Sequence, residues 1–171
     1  DAALGDLRFA AADTGSRSDW HAAVARVTSA PERDTNALPT DAQVIGAVQR
    51  IAAEDTVVMC AAGTMPGALQ VLWQSAKGGY HMEYGYSCMG YEIAGGLGVK
   101  MAQPEREVIV MVGDGSYLMM NSELATSVML GHKLTVVLLD NRGYGCINRL
   151  QRATGGESFN NLLDTARHAV P

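Results

Sequence analysis

The chain has 171 residues, of which 47% are apolar and 18% charged, enough for one domain with a buried core and too apolar for a disordered segment. Its formal net charge of −5 and lack of a basic run argue against nucleic acid as a partner. No apolar stretch reaches the ~20 residues of a membrane-spanning helix, and residues 1–30 lack the layout of a signal peptide.

Cys60, Cys88 and Cys146 are odd in number and widely spaced, so neither a disulfide framework nor a zinc site is expected, and a cytoplasmic location is the default. The chain begins at Asp1 and ends at Pro171 just after an expected helix, and so reads as a piece of a longer protein. Residues 1–36 are expected to be the tail of a preceding domain plus a linker. Residues 37–171 form the domain of interest, truncated at its C-terminus.

In chain order, a helical segment is expected near Trp20–Val27. The run SAPERDTNALPTD, with Pro31 and Pro39, reads as a linker. Thr40 or Asp41 can cap a helix through Ile51, with Val44, Ile45, Val48 and Ile51 at helical spacing. TVVMCAAG (56–63) is a buried strand ending in small residues, and a helix follows from Pro66. Residues 78–90 show no period. GYEIAGGLGVKMA (90–102) is a helix packed closely through its glycines. EVIVMVGDGS (107–116) is a second strand, NSELATSVMLG (121–131) a helix with a polar start and a glycine stop, and KLTVVLLDN (133–141) a third strand. Strands apolar on both faces alternating with helices predict an α/β fold, a parallel sheet flanked by helices, incomplete in this piece.

Ligands of such sheets bind beyond the carboxyl ends of the strands. Here those ends read AAGT, GDGS and DNRGYG. The Asp114 carboxylate and the Asn141 amide are hard oxygen donors, and a carbonyl in the turn after Asn141, naturally that of Gly143, adds a third. Three protein oxygens leave half an octahedron for water and phosphate oxygens, the arrangement Mg²⁺ favours. Gly113 and Gly115 let a phosphate approach the main chain, and the amides of Gly115 and Ser116 near a helix start favour an anion. A bound cation would reverse the repulsion between Asp114 and a diphosphate.

GDG followed at this distance by a terminal Asn resembles the signature of thiamine-diphosphate-dependent enzymes, in particular the acetolactate synthase and benzoylformate decarboxylase branch. The resemblance covers residues 40–165 and implies a Rossmann-like three-layer fold, with thiamine diphosphate and Mg²⁺ as cofactors. It implies Asp114, Asn141 and the Gly143 carbonyl as metal ligands, with Tyr144 and Gly145 in the same turn. SCMGYEIAGGLGVKMA resembles the segment that cradles the pyrimidine, so Met89 would prop the cofactor in its bent form and the backbone at Ser87 and Met89 would bond the ring. AAGTMP implicates Gly63, Thr64 and Met65 at the diphosphate.

Within the branch, EYGYSCMGYEIAGG and GDGSYLMMNSE look most like the subgroup that hydrolyses trihydroxycyclohexane-1,2-dione in inositol breakdown, giving a deoxy-glucuronate. Ala94 in place of a common proline and Glu92 in place of a small residue fit that subgroup. The resemblance also implies a homodimer or homotetramer with its active site between subunits. The glutamate that activates the cofactor would come from another domain, so no catalytic residue is expected in this chain and the isolated piece is expected to be inactive.

Other readings compete with these. An acetolactate synthase-like or 2-keto acid decarboxylase-like activity uses the same cofactor. VIVMVGDGSYL and Asp140 suit a nicotinamide- or flavin-binding Rossmann domain, but Leu118 stands where its third glycine belongs. A non-catalytic binding domain is a third reading. Met119 and Met120 read as core filling, Glu83 and Glu92 as solvated or paired, and Cys88 and Cys146 as small, partly buried side chains. Tyr84, Tyr86 and Tyr144 could line a substrate pocket or simply pack as aromatics. His81 is a minor candidate for proton transfer, while His21, His132 and His168 read as surface residues.

Overall fold

The structure is a computed structural model that describes residues 17–29 and 38–163. The expected tail, most of the linker and His168 lie outside the described residues. The chain divides into two compact units, residues 1–52 with 67–74, and residues 53–66 with 75–171.

In the first unit, helix α1 (Arg17–Thr28) meets α2 (Asp41–Ile51). Gly46 lies against Thr28, where any side chain would collide, and Arg50 Nη1 donates to the Thr28 carbonyl at 3.1 Å. Thr40 caps α2 with a full capping box: its hydroxyl accepts from Gln43 N–H, and Gln43 Oε1 accepts from Thr40 N–H. The buried side of α2 is Ala42, Ile45, Gly46 and Val48; Ile51, at the helix end, is exposed. Most of helix α3 (Met65–Leu72) belongs to this unit, and Gln49 bonds both ways with the backbone of Gln74 just beyond it.

The second unit is built on a sheet of four parallel strands, β1 (Val57–Cys60), β2 (Tyr80–Met82), β3 (Val108–Gly113) and β4 (Thr135–Leu139), in the order β2-β1-β3-β4. β1 and β3 occupy the centre and are buried along almost their whole length, which is why they are apolar without alternation. β2 was not foreseen. It is a three-residue edge strand, Tyr-His-Met, too short and too mixed to show a period. β4 is half-buried rather than buried on both faces, because among the described residues β3 is its one partner in the sheet.

Helix α4 (Tyr91–Ala102) lies on this sheet with Ile93 fully buried among Val57, Met59, Val108, Val110, Val112 and Tyr117. Gly96 makes the approach possible: a methyl there would stand 2.5 Å from Val110 Cγ2. A short helix α5 (Asp114–Met120) follows β3 directly and runs into α6 (Ser122–Leu130), which ends at Gly131 with φ +71°. Helix α7 (Gly145–Ala153) follows the turn after β4. The helix start expected near Gly115 and Ser116 is that of α5, a separate short helix, and α7 was not expected from sequence. Among the described residues no helix is long and apolar enough to cross a membrane.

Because the four strands are parallel, their carboxyl ends share one edge of the sheet. The loops 61–64, 83–90 and 140–144 and the first turn of α5 all leave from it. The Gly96–Val110 contact holds α4, and with it the loop 83–90, against this edge. Gly96→Ala is expected to destabilise the protein by about 1–3 kcal/mol through overpacking, read from the shift in its urea midpoint.

Candidate functional site

Asp114 and Asn141 leave adjacent parallel strands at corresponding heights, since Gly113 pairs with Leu139. Asp114 is 0% exposed. Its Oδ2 accepts the Gly143 N–H at 2.8 Å, which partners one oxygen of a carboxylate that burial would otherwise leave costly. As placed, Asn141 Oδ1 faces Asp114 Oδ1 at 3.2 Å and the Gly143 carbonyl at 2.8 Å, three acceptors with no proton between them. Turning the amide over resolves this by presenting its NH₂ to both oxygens. A divalent cation among the three resolves it equally. Neighbouring oxygens around octahedral Mg²⁺ lie about 2.9 Å apart, close to both separations. The donor chemistry and the spacing therefore fit Mg²⁺. Among the described residues no group of three or more His, Cys, Asp or Glu could hold a metal, so this mixed set stands apart.

The turn that carries Asn141 and Gly143 is fixed from behind. Asp140 Oδ1 accepts the Arg142 N–H at 2.9 Å, closing an Asx-type turn, and so is engaged locally. Arg142 has φ +62°, unusual for a residue with a side chain. Gly143 forms an antiparallel bridge with Leu162, Tyr144 N–H donates to Asn161 O at 2.7 Å, and Leu163 N–H donates to Arg142 O at 2.8 Å. Gly143 has φ +137°, and a side chain there would strike the Asn161 carbonyl.

Around the Asp114 carboxylate the packing is close. A methyl on Gly115 would stand 2.7 Å from the Tyr144 ring and 3.5 Å from Met89 Cε, so Gly115, Tyr144 and Met89 meet at one point. Gly145 lies beside the Asn141 amide. Ser116 is buried and its hydroxyl is turned inward, onto Glu92 and the Gly90 N–H. Gly63, with φ +92°, and Thr64 stand at the tip of β1, one strand over, while Met65 is buried. Ser87 is exposed with φ +52°.

The loop 83–90 is shaped by Glu83, whose carboxylate accepts the N–H groups of Cys88 at 2.8 Å and Tyr86 at 3.0 Å. These bonds, Cys88 first, hold its pKa below the ordinary value. Tyr84 and Tyr86 project into solvent, Tyr86 at 92% exposure. His81 Nε2 lies 3.1 Å from the Tyr91 hydroxyl, and their rings stack at 6.0 Å.

Three expectations need correction. Met119 and Met120 are not core filling; both are exposed, and Met120 Cγ would lie 2.5 Å from a methyl on Gly90. Cys88 is exposed rather than partly buried. Residual desolvation and the nearby Glu83 carboxylate raise its thiol pKa. Glu92 is not solvated but 0% exposed, bonded to two amides and a hydroxyl. Its sequence signal was a charge at the start of a glycine-rich helix, where the wider branch carries a small residue.

Residues 61–169 match the family described as thiamine pyrophosphate enzyme, C-terminal TPP binding domain. The chain belongs to this family. The Rossmann-type dinucleotide reading is therefore set aside. The family's thiamine pyrophosphate is the thiamine diphosphate named above. Two curated relatives, from Bacillus thuringiensis (strain Al Hakam) and Geobacillus thermodenitrificans (strain NG80-2), are each 54% identical over 121 residues. Both are named 3D-(3,5/4)-trihydroxycyclohexane-1,2-dione hydrolase. The matched part is 70% of this chain and 19% of each relative, so it spans about a fifth of their length. Among solved structures, the thiamine diphosphate-dependent 4-hydroxybenzoylformate decarboxylase of Rhodococcus jostii RHA1 superposes with a TM-score of 0.69 at 21% identity, covering 79% of this chain and 25% of that one. That likeness shows the fold.

Two outcomes follow for this thiamine pyrophosphate enzyme domain. Gly143→Ala is expected to lose about 1–3 kcal/mol of stability through backbone strain and the Asn161 collision, measured by thermal denaturation. Because the folded-state pKa of Glu83 is lowered, its contribution to loop order is complete above the unfolded carboxylate pKa and lost as pH falls through the folded one. Amide exchange at Tyr86 and Cys88 should therefore lose protection on acidification, and Glu83→Gln should remove most of that pH dependence.

Proposed function

We propose that this chain supplies the diphosphate- and Mg²⁺-binding part of an enzyme that opens trihydroxycyclohexane-1,2-dione hydrolytically. The observation that carries the reading is the meeting of the Asp114 carboxylate, the Asn141 amide and the Gly143 main chain at one edge of the sheet. The 54% identity to hydrolases of that name supports the choice of substrate.

In this reading Asp114 Oδ1, Asn141 Oδ1 and the Gly143 carbonyl hold Mg²⁺. Gly113, Gly115 and the amides of Gly115 and Ser116 face the diphosphate, with Gly63, Thr64 and Met65 on its other side. The backbone at Ser87 and Met89 bonds the pyrimidine, and the Met89 side chain, held against Gly115 and Tyr144, sets the bend of the cofactor. Gly145 keeps room for the Asn141 amide. When bound, thiamine diphosphate supplies a nucleophilic carbon that adds to a carbonyl and holds the electron pair left when the neighbouring C–C bond breaks. In the net reaction the bond between the two carbonyl carbons is cleaved. The hydroxyl of water goes to one carbon, giving a carboxylate, and a proton goes to the other, giving an aldehyde.

No residue of this chain is assigned a catalytic role. The glutamate that the family resemblance places against the cofactor ring is assigned to another domain or subunit. Met119, Val128, Met129 and Leu130 form an exposed apolar set on α5 and α6, suited to packing against that neighbour in a homo-oligomer.

The test uses the whole protein with thiamine diphosphate, Mg²⁺ and the dione. Turnover is expected, with Asp114→Ala and Asn141→Ala each weakening Mg²⁺-dependent cofactor binding by more than the ~10–100-fold typical of losing an outer-shell partner. Turnover of a 2-keto acid in place of the dione would keep the cofactor and overturn the substrate. Cofactor binding that ignores both Mg²⁺ and Asp114 would overturn the site.

A further inference from the structure

Glu92 is a carboxylate with no exposed surface, at the second position of α4. Its Oε1 accepts the Ala62 N–H at 3.1 Å and lies 2.9 Å from Ser116 Oγ. Its Oε2 accepts the Gly90 N–H at 2.9 Å and lies 2.8 Å from the same hydroxyl. Gly90 N–H is also 2.8 Å from Ser116 Oγ. One side chain thus joins the segments that follow three different strands: the loops 61–64 after β1 and 83–90 after β2, and the first turn of α5 after β3. Each anchor is a direct neighbour in sequence of a residue placed at the cofactor: Ala62 beside Gly63, Gly90 beside Met89, and Ser116 beside Gly115.

The chemistry requires a carboxylate. Both oxygens face donors, an amide at each end and a hydroxyl spanning the two, and an ionised carboxylate is acceptor-only. Glutamine has the same shape, but its NH₂ would confront either the Ala62 or the Gly90 N–H. A buried carboxylate without such donors would be strongly disfavoured. The position does not reach the reacting atoms. It touches the backbone that presents them.

We infer that Glu92 is a positioning residue that fixes the spacing between the diphosphate-binding loops and the pyrimidine-binding loop, so that a ligand spanning both is held as one piece. The inference rests on the proposed assignment of those loops to thiamine diphosphate. A ligand that occupies only the diphosphate side does not depend on that spacing; the whole cofactor does.

The experiment compares wild type, Glu92→Gln and Ser116→Ala in the whole protein, titrated at saturating Mg²⁺ with thiamine diphosphate and, separately, with inorganic diphosphate. Glu92→Gln is expected to weaken thiamine diphosphate by about tenfold or more, the scale set by lost supporting hydrogen bonds. Inorganic diphosphate, which needs only the link between 61–64 and Ser116 and not the one to the 83–90 loop, should be weakened by a clearly smaller factor than the whole cofactor. Ser116→Ala keeps its backbone amide and removes only the hydroxyl between the loops, and should show the same split. Proportional weakening of both ligands would make Glu92 a prop for the fold and overturn the inference, as would unchanged cofactor binding in Glu92→Gln. If Glu92→Gln does not fold, Ser116→Ala alone decides between these outcomes. Failure of the wild type to bind thiamine diphosphate with Mg²⁺ would instead remove the functional reading beneath the inference.

Discussion

A buried carboxylate at the tip of a central strand organises this domain. Asp114 sits where β3 becomes α5, out of contact with water, and its Oδ2 is held by the amide of Gly143 from the turn after the next strand. An isolated charge in that place would be expelled or neutralised. Its persistence demands that the turn after β4 be brought to one position, and that requirement explains the backbone around it. Arg142 and Gly143 adopt positive φ, Asp140 closes the turn from one side, and residues 161–163 pair with it from the other. Strain of this kind persists where the surroundings over-determine it, and here it brings the Asn141 amide and the Gly143 carbonyl against the same carboxylate.

A second buried carboxylate does for the neighbouring loops what Asp114 does for the turn after β4. Glu92 collects donors from the ends of β1 and β3 and from the loop following β2. Between them the two acids engage the loops at all four strand ends. Glu92 is satisfied by two backbone N–H groups and a hydroxyl, so it stiffens these loops without a partner charge. The glycines have a complementary role. Gly96 lets α4 settle on Val110, and Gly115 leaves room where Met89 and Tyr144 meet. Rigid edges of this type suit a site that must hold a flexible cofactor in one conformation.

The central strands and the helix bearing the glycines were readable because full burial imposes an unbroken apolar run, and close packing imposes small residues. The helix cap at Thr40 or Asp41 and the glycine stop at Gly131 were readable because they satisfy backbone groups through local chemistry. β2 was not, since three residues at a sheet edge carry no period, and its pairing with β1 is decided by atoms distant in sequence. Met119 and Met120 misled for a related reason: an apolar residue on a helix declares that it can be buried, not that the described chain buries it.

The sequence by itself determined the family, the parallel α/β plan and the residues from which a metal and diphosphate site can be assembled, because GDG and the Asn-bearing turn each carry their chemistry locally. Tertiary structure alone decided that the Asn141 amide lies against both Asp114 and the Gly143 carbonyl, that the Ser116 hydroxyl faces inward, and that Glu92 is a buried junction rather than a surface acid. The physical reason is distance along the chain. Oxygens on different strands converge only when hydrogen-bond register sets their relative height, and no local pattern of residues encodes that register.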